Sequence, residues 1–260
     1  MKNKVLIACP LGGLKQYSIN RWFDWIANQT HADYDVCVCV NGLDAGKLAR
    51  KIEEVEIKDV HDKIKKVKVL QYLGIHNSTI QRITFSREKI RRYAVEYDYD
   101  YIFWLDSDTI PVNLNAISQL INREVSAISG IYFYKNSKQP VIIDQDTKTN
   151  ISLQKLEEYY NVNEIIEVWG FGYGCLLQDK ETFESCPFDY VLFGEERTDD
   201  FGNCHVMEQK GIKRFVDPKV MCRHLGDINI KQNINSFLKF LVNENGQNKN
   251  PTKNQDKRMD

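Results

Sequence analysis

The stretch YIFWLDSDTIP, Tyr101 to Pro111, decides the fold class of this 260-residue chain. Its first five residues are apolar, which is typical of a strand that is covered on both faces of a parallel sheet. Two aspartates, Asp106 and Asp108, follow at once. Because ligands bind beyond the carboxyl ends of the strands in an open parallel sheet, the sequence predicts a binding site at this edge.

The segments on either side of this stretch indicate an α/β fold. Short apolar runs alternate with helical patterns, as they do in βαβ units. The other predicted strands are KVLIACP, YDVCVCVNG, KVKVLQYL, SAISGIYFY, EVWGFGYGCLLQ and RFVDPKVMCRHLG. We therefore expect a Rossmann-like, mostly parallel central sheet that is flanked by helices.

The chain shows no internal repeat and no Pro- or Gly-rich linker that would divide it. This predicts one domain over residues 1–242. The last part of that domain, Ile228 to Val242, is amphipathic and is expected to pack back on the rest. Residues 243–260 are polar and rich in Asn and Lys, so we expect a disordered tail.

Composition restricts the possible partners and the location. The formal net charge of −1 argues against a nucleic-acid partner, because phosphate binding requires a basic face. No window approaches the roughly 20 apolar residues that span a bilayer, so no transmembrane segment is expected. The seven cysteines are scattered without C-x-x-C pairs. They are read as reduced core thiols, and we expect a cytoplasmic location.

The two aspartates of the stretch are predicted to share one ligand. Residues two apart on an extended chain point the same way. Two like charges that lie so close repel each other unless a cation compensates them. Mg²⁺ or Mn²⁺ is the natural compensation, because such ions bind carboxylate oxygens together with substrate phosphates. The alternative is that Asp106 caps the turn and Asp108 caps the following helix.

Seven features occur in a characteristic order between Lys4 and Gly226. They are VLIACP, a strand that ends in VNG, a helix that carries Arg87, FWLDSDTIP, WGFGYG, TDD and VMCRHLG. Together they resemble a GT-A fold glycosyltransferase, the class that uses nucleotide sugars and carries a D-x-D motif. The resemblance implies that residues 1–242 form a single GT-A domain.

The resemblance implies that the ends of the first two strands cradle the nucleotide through Pro10, Leu11 and Asn41. For Asn41, an ordinary turn is the alternative. It further implies that Arg87 faces the nucleotide or its diphosphate, for which a planar guanidinium is well suited. Three other arginines of the same helical segment are alternatives: Arg82, Arg91 and Arg92.

The same resemblance implies a metal site. Asp108 is expected to bind the ion, and Asp106 to contact the ribose or a metal-bound water. His224 lies on the last strand, where many GT-A enzymes place a further metal ligand, and imidazole suits Mn²⁺ better than Mg²⁺. A structural role is the alternative for His224.

The acidic pair Asp199 and Asp200 resembles the position that carries the catalytic base in inverting members of the fold, although this family usually has glutamate first. An acceptor hydroxyl must lose its proton as it attacks the anomeric carbon, so a carboxylate is required there. Asp200 is the candidate base. The alternative is that Thr198, Asp199 and Asp200 simply begin a helix, and both roles can hold together.

The glycines of WGFGYGC alternate inside a predicted strand, which does not match a dinucleotide-binding loop. Glycine in a strand allows a ligand or another backbone to approach closely, so Gly170 is a candidate for contact with the donor. Trp169 is a candidate for stacking on a sugar. Packing at the edge of the core is the alternative for Trp169.

The implied function is metal-dependent transfer of a sugar, with inversion, from a nucleoside-diphosphate-sugar to a glycan or another hydroxyl-bearing acceptor. A first alternative is a haloacid-dehalogenase-type phosphatase, because FWLDSDTIP also resembles the D-x-D-x-T strand of that family. Asp106 would then be the nucleophile and Asp108 the acid. That family carries the motif on its first strand, however, whereas three strands precede it here. A second alternative is a non-catalytic module that binds nucleotide sugars or glycans.

Overall fold

The structure, a computed structural model, describes residues 3–58, 67–74, 77–190 and 198–225. The strands are β1 (Val5–Gly12), β2 (Tyr34–Asn41), β3 (Val67–Tyr72), β4 (Tyr101–Leu105), β5 (Thr109–Pro111), β6 (Ala127–Ile131), β7 (Ile142–Asp144), β8 (Ile166–Phe171), β9 (Cys175–Asp179) and β10 (Arg214–His224). The helices are α1 (Ile19–Asn28), α2 (Ala45–Lys58), α3 (Thr79–Glu96), α4 (Ala116–Ile121), α5 (Leu153–Val162), α6 (Lys180–Ser185) and α7 (Asp199–Gln209).

The described strands form one sheet in the order β3-β2-β1-β4-β9-β6-β10-β8-β7, and β5 pairs with β10. β1 pairs in parallel with β2 and β4, and β6 pairs in parallel with β10. β9 is antiparallel to both of its neighbours, and β8 and β5 are antiparallel to β10. The predicted α/β fold with a mostly parallel central sheet is confirmed.

Helices cover both faces of the sheet, and the side chains of β4 alternate between the two cores. Ile102 and Trp104 pack on the face that α3 and α5–α7 cover, whereas Phe103 and Leu105 pack on the face of α1, α2 and α4. Since β4 is buried on both sides, its uninterrupted apolar run is explained. All seven cysteines are buried and unpaired, as predicted.

The segment EVWGFGYGCLLQ, predicted as one strand, forms two strands that are not neighbours. β8 lies beside β10, whereas β9 lies between β4 and β6. The connection between them wraps the ring of Tyr132, whose hydroxyl accepts a hydrogen bond from the Gly174 amide at 3.0 Å. A Cβ on Gly172 would overlap that hydroxyl, and a Cβ on Gly174 would lie 2.7 Å from Tyr132 Cζ. The two glycines thus make room for a tyrosine.

Several boundaries differ from the predicted ones. α3 begins at Thr79, ahead of the helical pattern TFSREKIRRYAVEYD that begins at Thr84, because Ser78 and Gln81 form a capping box before it. Residues 135–163 contain β7, which is absent from the predicted strands, and α5. The amphipathic segment 228–242 and the predicted tail at 243–260 lie outside the described residues, so the domain bounds stay a prediction. In the described ranges, no helix has the length and apolarity needed to cross a membrane.

Gly172→Ala tests the fit of the Tyr132 ring. The added methyl group overpacks a buried site, so we expect the free energy of unfolding to fall by about 1–3 kcal/mol. Urea denaturation measures this. Gly46→Ala in α2 is the control, because nothing lies within 4 Å of its Cβ position and alanine favours a helix. Equal stability of the two variants would contradict the close packing.

Candidate active site at the carboxyl edge of the sheet

The D-x-D motif forms a tight turn at the end of β4. The amide of Asp106 donates to the carbonyl of Gly174 at 3.2 Å, and the amide of Thr109 donates to the carbonyl of Asp106 at 2.9 Å. The next helix, α4, starts at Ala116 with Asn115 as its N-cap. Asp108 therefore does not cap that helix, and the capping alternative does not explain it.

The carboxylate of Asp108 is fully buried but surrounded by cationic and polar groups. Lys15 Nζ lies 2.8 Å from Oδ1, and Lys135 Nζ lies 2.9 Å from Oδ2. The Tyr17 hydroxyl donates to Oδ2 at 3.3 Å, and His224 Nε2 lies 3.5 Å from the same oxygen. Burial raises the pKa of Asp108, but His224 and the two lysines outweigh it and hold the pKa far below its ordinary value.

The two aspartates lie beside one shared cationic side chain, Lys15. Lys15 Nζ lies 3.8 Å from Asp106 Oδ2 as well as contacting Asp108. Burial lowers the pKa of Lys15, and the two carboxylates raise it by more, so the ammonium stays charged.

Sequence reasoning missed Lys15, Tyr17 and Lys135. Lys15 and Tyr17 lie on a 3₁₀ turn, Gly13–Ser18, that directly follows β1. A basic residue just beyond the carboxyl end of a parallel strand was a usable signal for Lys15. Lys135 follows β6 in the chain, and no local pattern connects it with the D-x-D motif.

Arg87 joins the D-x-D motif to the acidic pair. Its Nη2 lies 3.3 Å from Asp106 Oδ1, and its Nη1 lies 3.0 Å from Asp199 Oδ2. The second contact is a charge contact without hydrogen-bond geometry, since neither atom has a hydrogen-bond partner among the described residues. The guanidinium carbon also lies 4.6 Å from the centre of the Tyr173 ring. Burial disfavours the charge, but Asp199 and Asp106 together raise the pKa of Arg87.

The other arginines of α3 have different partners in the structure. Arg82 donates to the carbonyl of Asn77 and to Thr79 at the start of the helix. Arg91 and Arg92 both pair with Glu88. Arg87 is thus the member of this group that contacts the D-x-D motif.

Asp199 and Asp200 begin α7 but differ in their surroundings. Asp199 is buried against Arg87, whereas Asp200 is half-buried and accepts a hydrogen bond from the Phe201 amide at 3.2 Å. Burial raises the pKa of Asp199 to about 7, and Asp200 adds to this, although Arg87 pulls the pKa down. The contact between Arg87 and Asp199 is attractive, because it raises the pKa of Arg87. At Asp199, however, the cost of burying the carboxylate is larger than this attraction, so the pKa of Asp199 is still raised.

The proposed metal ligands have the right chemistry but are not assembled. His224 Nδ1 lies 2.8 Å from the carbonyl oxygen of Phe133 and so carries a hydrogen, and metal-binding histidines usually make such a bond. Two carboxylates and an imidazole fit a divalent ion such as Mn²⁺. Within the described ranges, however, no three His, Cys, Asp or Glu side chains lie close enough to hold a metal. An ion bound at Asp108 would have to displace Lys15 and Lys135 from this carboxylate.

The residues predicted to cradle the nucleotide lie on β1 and β2, at the same carboxyl edge of the sheet as the D-x-D motif. This edge is called the rim below. Pro10 and Leu11 pair with Cys39 and Val40 of β2. The side chain of Leu11 belongs to the core, so any contact of Leu11 with a nucleotide would use its backbone. Asn41 ends β2, and its side-chain nitrogen Nδ2 donates to the Ser86 hydroxyl at 3.2 Å.

Trp169 and Gly170 on β8 contact α7. The indole nitrogen of Trp169 donates to Glu208 at 2.9 Å, and its ring stacks on Phe201. A Cβ on Gly170 would lie 3.2 Å from the Phe201 ring. The structure thus places both residues against the helix that carries Asp200.

Comparison of the sequence with protein-family models and with curated proteins gives no match. Among solved structures, a crystal structure of GalNAc-T7 with UDP, GalNAc and Mn²⁺ matches with a TM-score of 0.59 and 12% sequence identity. This chain shares its fold with GalNAc-T7. The match covers 85% of this chain and 44% of that one, so the chain spans less than half the length of GalNAc-T7. The crystal structure of A197 from STIV matches with a TM-score of 0.49 at 14% identity, over 86% of each chain.

Arg87→Met tests the central ion pair. It leaves Asp106 and Asp199 without their shared counter-charge, so we expect a loss of about 3–5 kcal/mol in the free energy of unfolding. Denaturant unfolding at neutral pH measures the loss. Arg92→Gln, on the same helix, removes a guanidinium whose side chain is 75% exposed and should cost less than about 1 kcal/mol. Similar losses in both variants would contradict the proposed importance of Arg87.

Asp199→Asn tests the raised pKa of Asp199. The native state binds a proton that the unfolded state releases near pH 4, so this carboxyl stabilises the fold at low pH. The contribution disappears as the pH rises from about 4 through about 7. The stability of the wild type minus that of Asp199→Asn should fall over this range, by at most about 4 kcal/mol. Asp24→Asn, at an exposed position, should show no such fall.

Proposed function

We propose that this protein is a glycosyltransferase that moves a sugar from a nucleoside-diphosphate-sugar to a hydroxyl of a glycan or another acceptor, with inversion. The contact that carries the proposal is the bridge from Asp106 through Arg87 to Asp199. It brings the D-x-D motif and the acidic pair to one rim of the sheet, where α/β proteins bind their ligands. Such a transferase needs a diphosphate site beside a basic carboxylate.

The donor side of the proposed site is the rim between β1, β2 and β4. Pro10, Leu11 and Asn41 are proposed to border the nucleotide, and Arg87 to face its diphosphate. Asp106, Asp108 and His224 are proposed to hold Mn²⁺ or Mg²⁺. When bound, such an ion neutralises charge on the leaving diphosphate. GalNAc-T7, which shares the fold, was crystallised with UDP and Mn²⁺, and this supports the assignment.

The acceptor side is the N-terminus of α7. Asp200 is proposed as the base because Asp199 is committed to Arg87. The proton of the acceptor hydroxyl moves to the Asp200 carboxylate as the oxygen attacks the anomeric carbon. The bond from that carbon to the diphosphate breaks on the opposite face, and the diphosphate keeps the electron pair. The sugar passes through an oxocarbenium-like state of the kind known from glycoside hydrolysis. Trp169 and Gly170, which pack against this helix, are proposed to contact the sugar of the donor.

A thermal-shift panel of UDP-, GDP- and CDP-sugars, with and without Mn²⁺, tests the function. Stabilisation by one nucleotide class, followed by transfer to an added acceptor, is the expected result. Release of inorganic phosphate from simple phosphomonoesters would instead support a phosphatase. Donor binding with neither hydrolysis nor transfer would favour a binding module.

Asp200→Asn tests the assignment of the base. Removing general-base catalysis should lower kcat about 10²- to 10⁴-fold, whereas the dissociation constant of the nucleotide should change little. Steady-state kinetics and calorimetric titration of the nucleotide measure the two effects. Asp24→Asn, an exposed carboxylate on α1, is the control and should keep full activity. An Asp200→Asn variant with wild-type kcat would remove Asp200 from the mechanism.

A further inference from the structure

The two ammonium groups that contact Asp108 belong to partly exposed side chains. The Asp108 carboxylate has no exposed surface, whereas the side chains of Lys15 and Lys135 are 34% and 40% exposed. Both lysines follow the carboxyl ends of strands that run parallel to β4, and lysine carries a compact charge on a flexible stem. They can therefore turn outward without any movement of the sheet.

The two lysines balance part of the negative charge of the rim. The described rim contains four carboxylates, from Asp106, Asp108, Asp199 and Asp200, and three permanent cations, from Lys15, Lys135 and Arg87. When all four carboxylates are ionised, four minus three leaves one negative charge. Arg87 is enclosed between two carboxylates, so the lysines are the mobile part of this balance.

A divalent ion and the lysines compete for the same oxygens. One ammonium lies 2.8 Å from Oδ1 of Asp108 and the other 2.9 Å from Oδ2. An ion bound to this carboxylate would meet two positive charges at short range, and like charges at such distances repel strongly in a buried site. Such an ion would bind well only if other anions took over the lysines, and a diphosphate would supply such anions.

We propose that Lys15 and Lys135 are diphosphate-binding residues that exchange Asp108 for the phosphate oxygens of the donor. The exchange leaves Asp108 free for the divalent ion. This inference rests on the proposed function and adds two residues to it. It implies that part of the binding energy for the nucleotide is independent of metal, and that without a nucleotide the lysines weaken metal binding.

Nucleotide binding to the wild-type protein is the first test. Calorimetric titration with UDP, GDP, CDP and inorganic pyrophosphate is done once in EDTA and once with Mn²⁺. We expect a diphosphate to bind in EDTA. In Lys15→Gln and in Lys135→Gln this binding should weaken at least about tenfold, as expected when a charge-assisted contact is lost. Lys138→Gln is the matched control, because this exposed lysine lies three residues from Lys135.

Metal binding without nucleotide is the second test, and its expected change has the opposite sign. Electron paramagnetic resonance of free Mn²⁺ gives the affinity directly, without any enzymatic assay. The two Gln variants should bind Mn²⁺ at least about tenfold more tightly than the wild type, because a competing charge is gone. A variant that merely misfolded would lose affinity for both ligands, so the opposite changes separate exchange from damage.

The outcomes distinguish this inference from the proposed function. If no diphosphate binds with or without Mn²⁺, the proposed function fails and the inference fails with it. If a diphosphate binds only with Mn²⁺, or binds equally to the wild type and the Gln variants, the transferase proposal stands and the exchange is refuted. Unchanged Mn²⁺ affinity in the variants refutes the exchange as well.

Discussion

A carboxylate without exposed surface stays ionised only when cations lie beside it, and Asp108 is such a carboxylate. Its counter-charges come from distant parts of the chain: Lys15 follows β1, and Lys135 follows β6. The sheet must bring these two strand ends to the end of β4 before the charge of Asp108 can be buried. Burial of the Asp108 charge therefore depends on the order of the strands in the sheet.

Arg87 places a second constraint on the fold, because its partners lie on several elements. Its guanidinium packs on Tyr173, whose hydroxyl bonds to Asn203 of α7 and accepts from Gln178 of β9. This buried polar network fixes the position of α7 relative to α3 and β9, because each partner lost would leave a buried polar group unsatisfied. The distance between the D-x-D motif and the acidic pair is therefore set by packed side chains rather than by a loop.

Local sequence patterns predicted much of this arrangement. The apolar run of β4, followed by Asp106 and Asp108, predicted a strand that is buried on both faces and the turn that ends it. Both features depend on residues that are adjacent in the chain. Arg87, which the sequence predicted to face the diphosphate, contacts Asp106 in the structure, and its role toward a nucleotide stays a prediction. Patterns failed where neighbours in space decide: EVWGFGYGCLLQ looks like one strand, but the ring of Tyr132 splits it into two.

By itself, the sequence determined the α/β class, the strand β4 and the position of Asp106 and Asp108 at its end, because these depend on periodicity and on adjacent residues. Only the tertiary structure decided what holds those acids. Lys15 and Lys135 stand 93 and 27 residues from Asp108 along the chain, and nothing in a linear pattern ties them together. Their pairing follows from the order of strands in the sheet, and Coulomb attraction acts on distance in space rather than on separation along the chain.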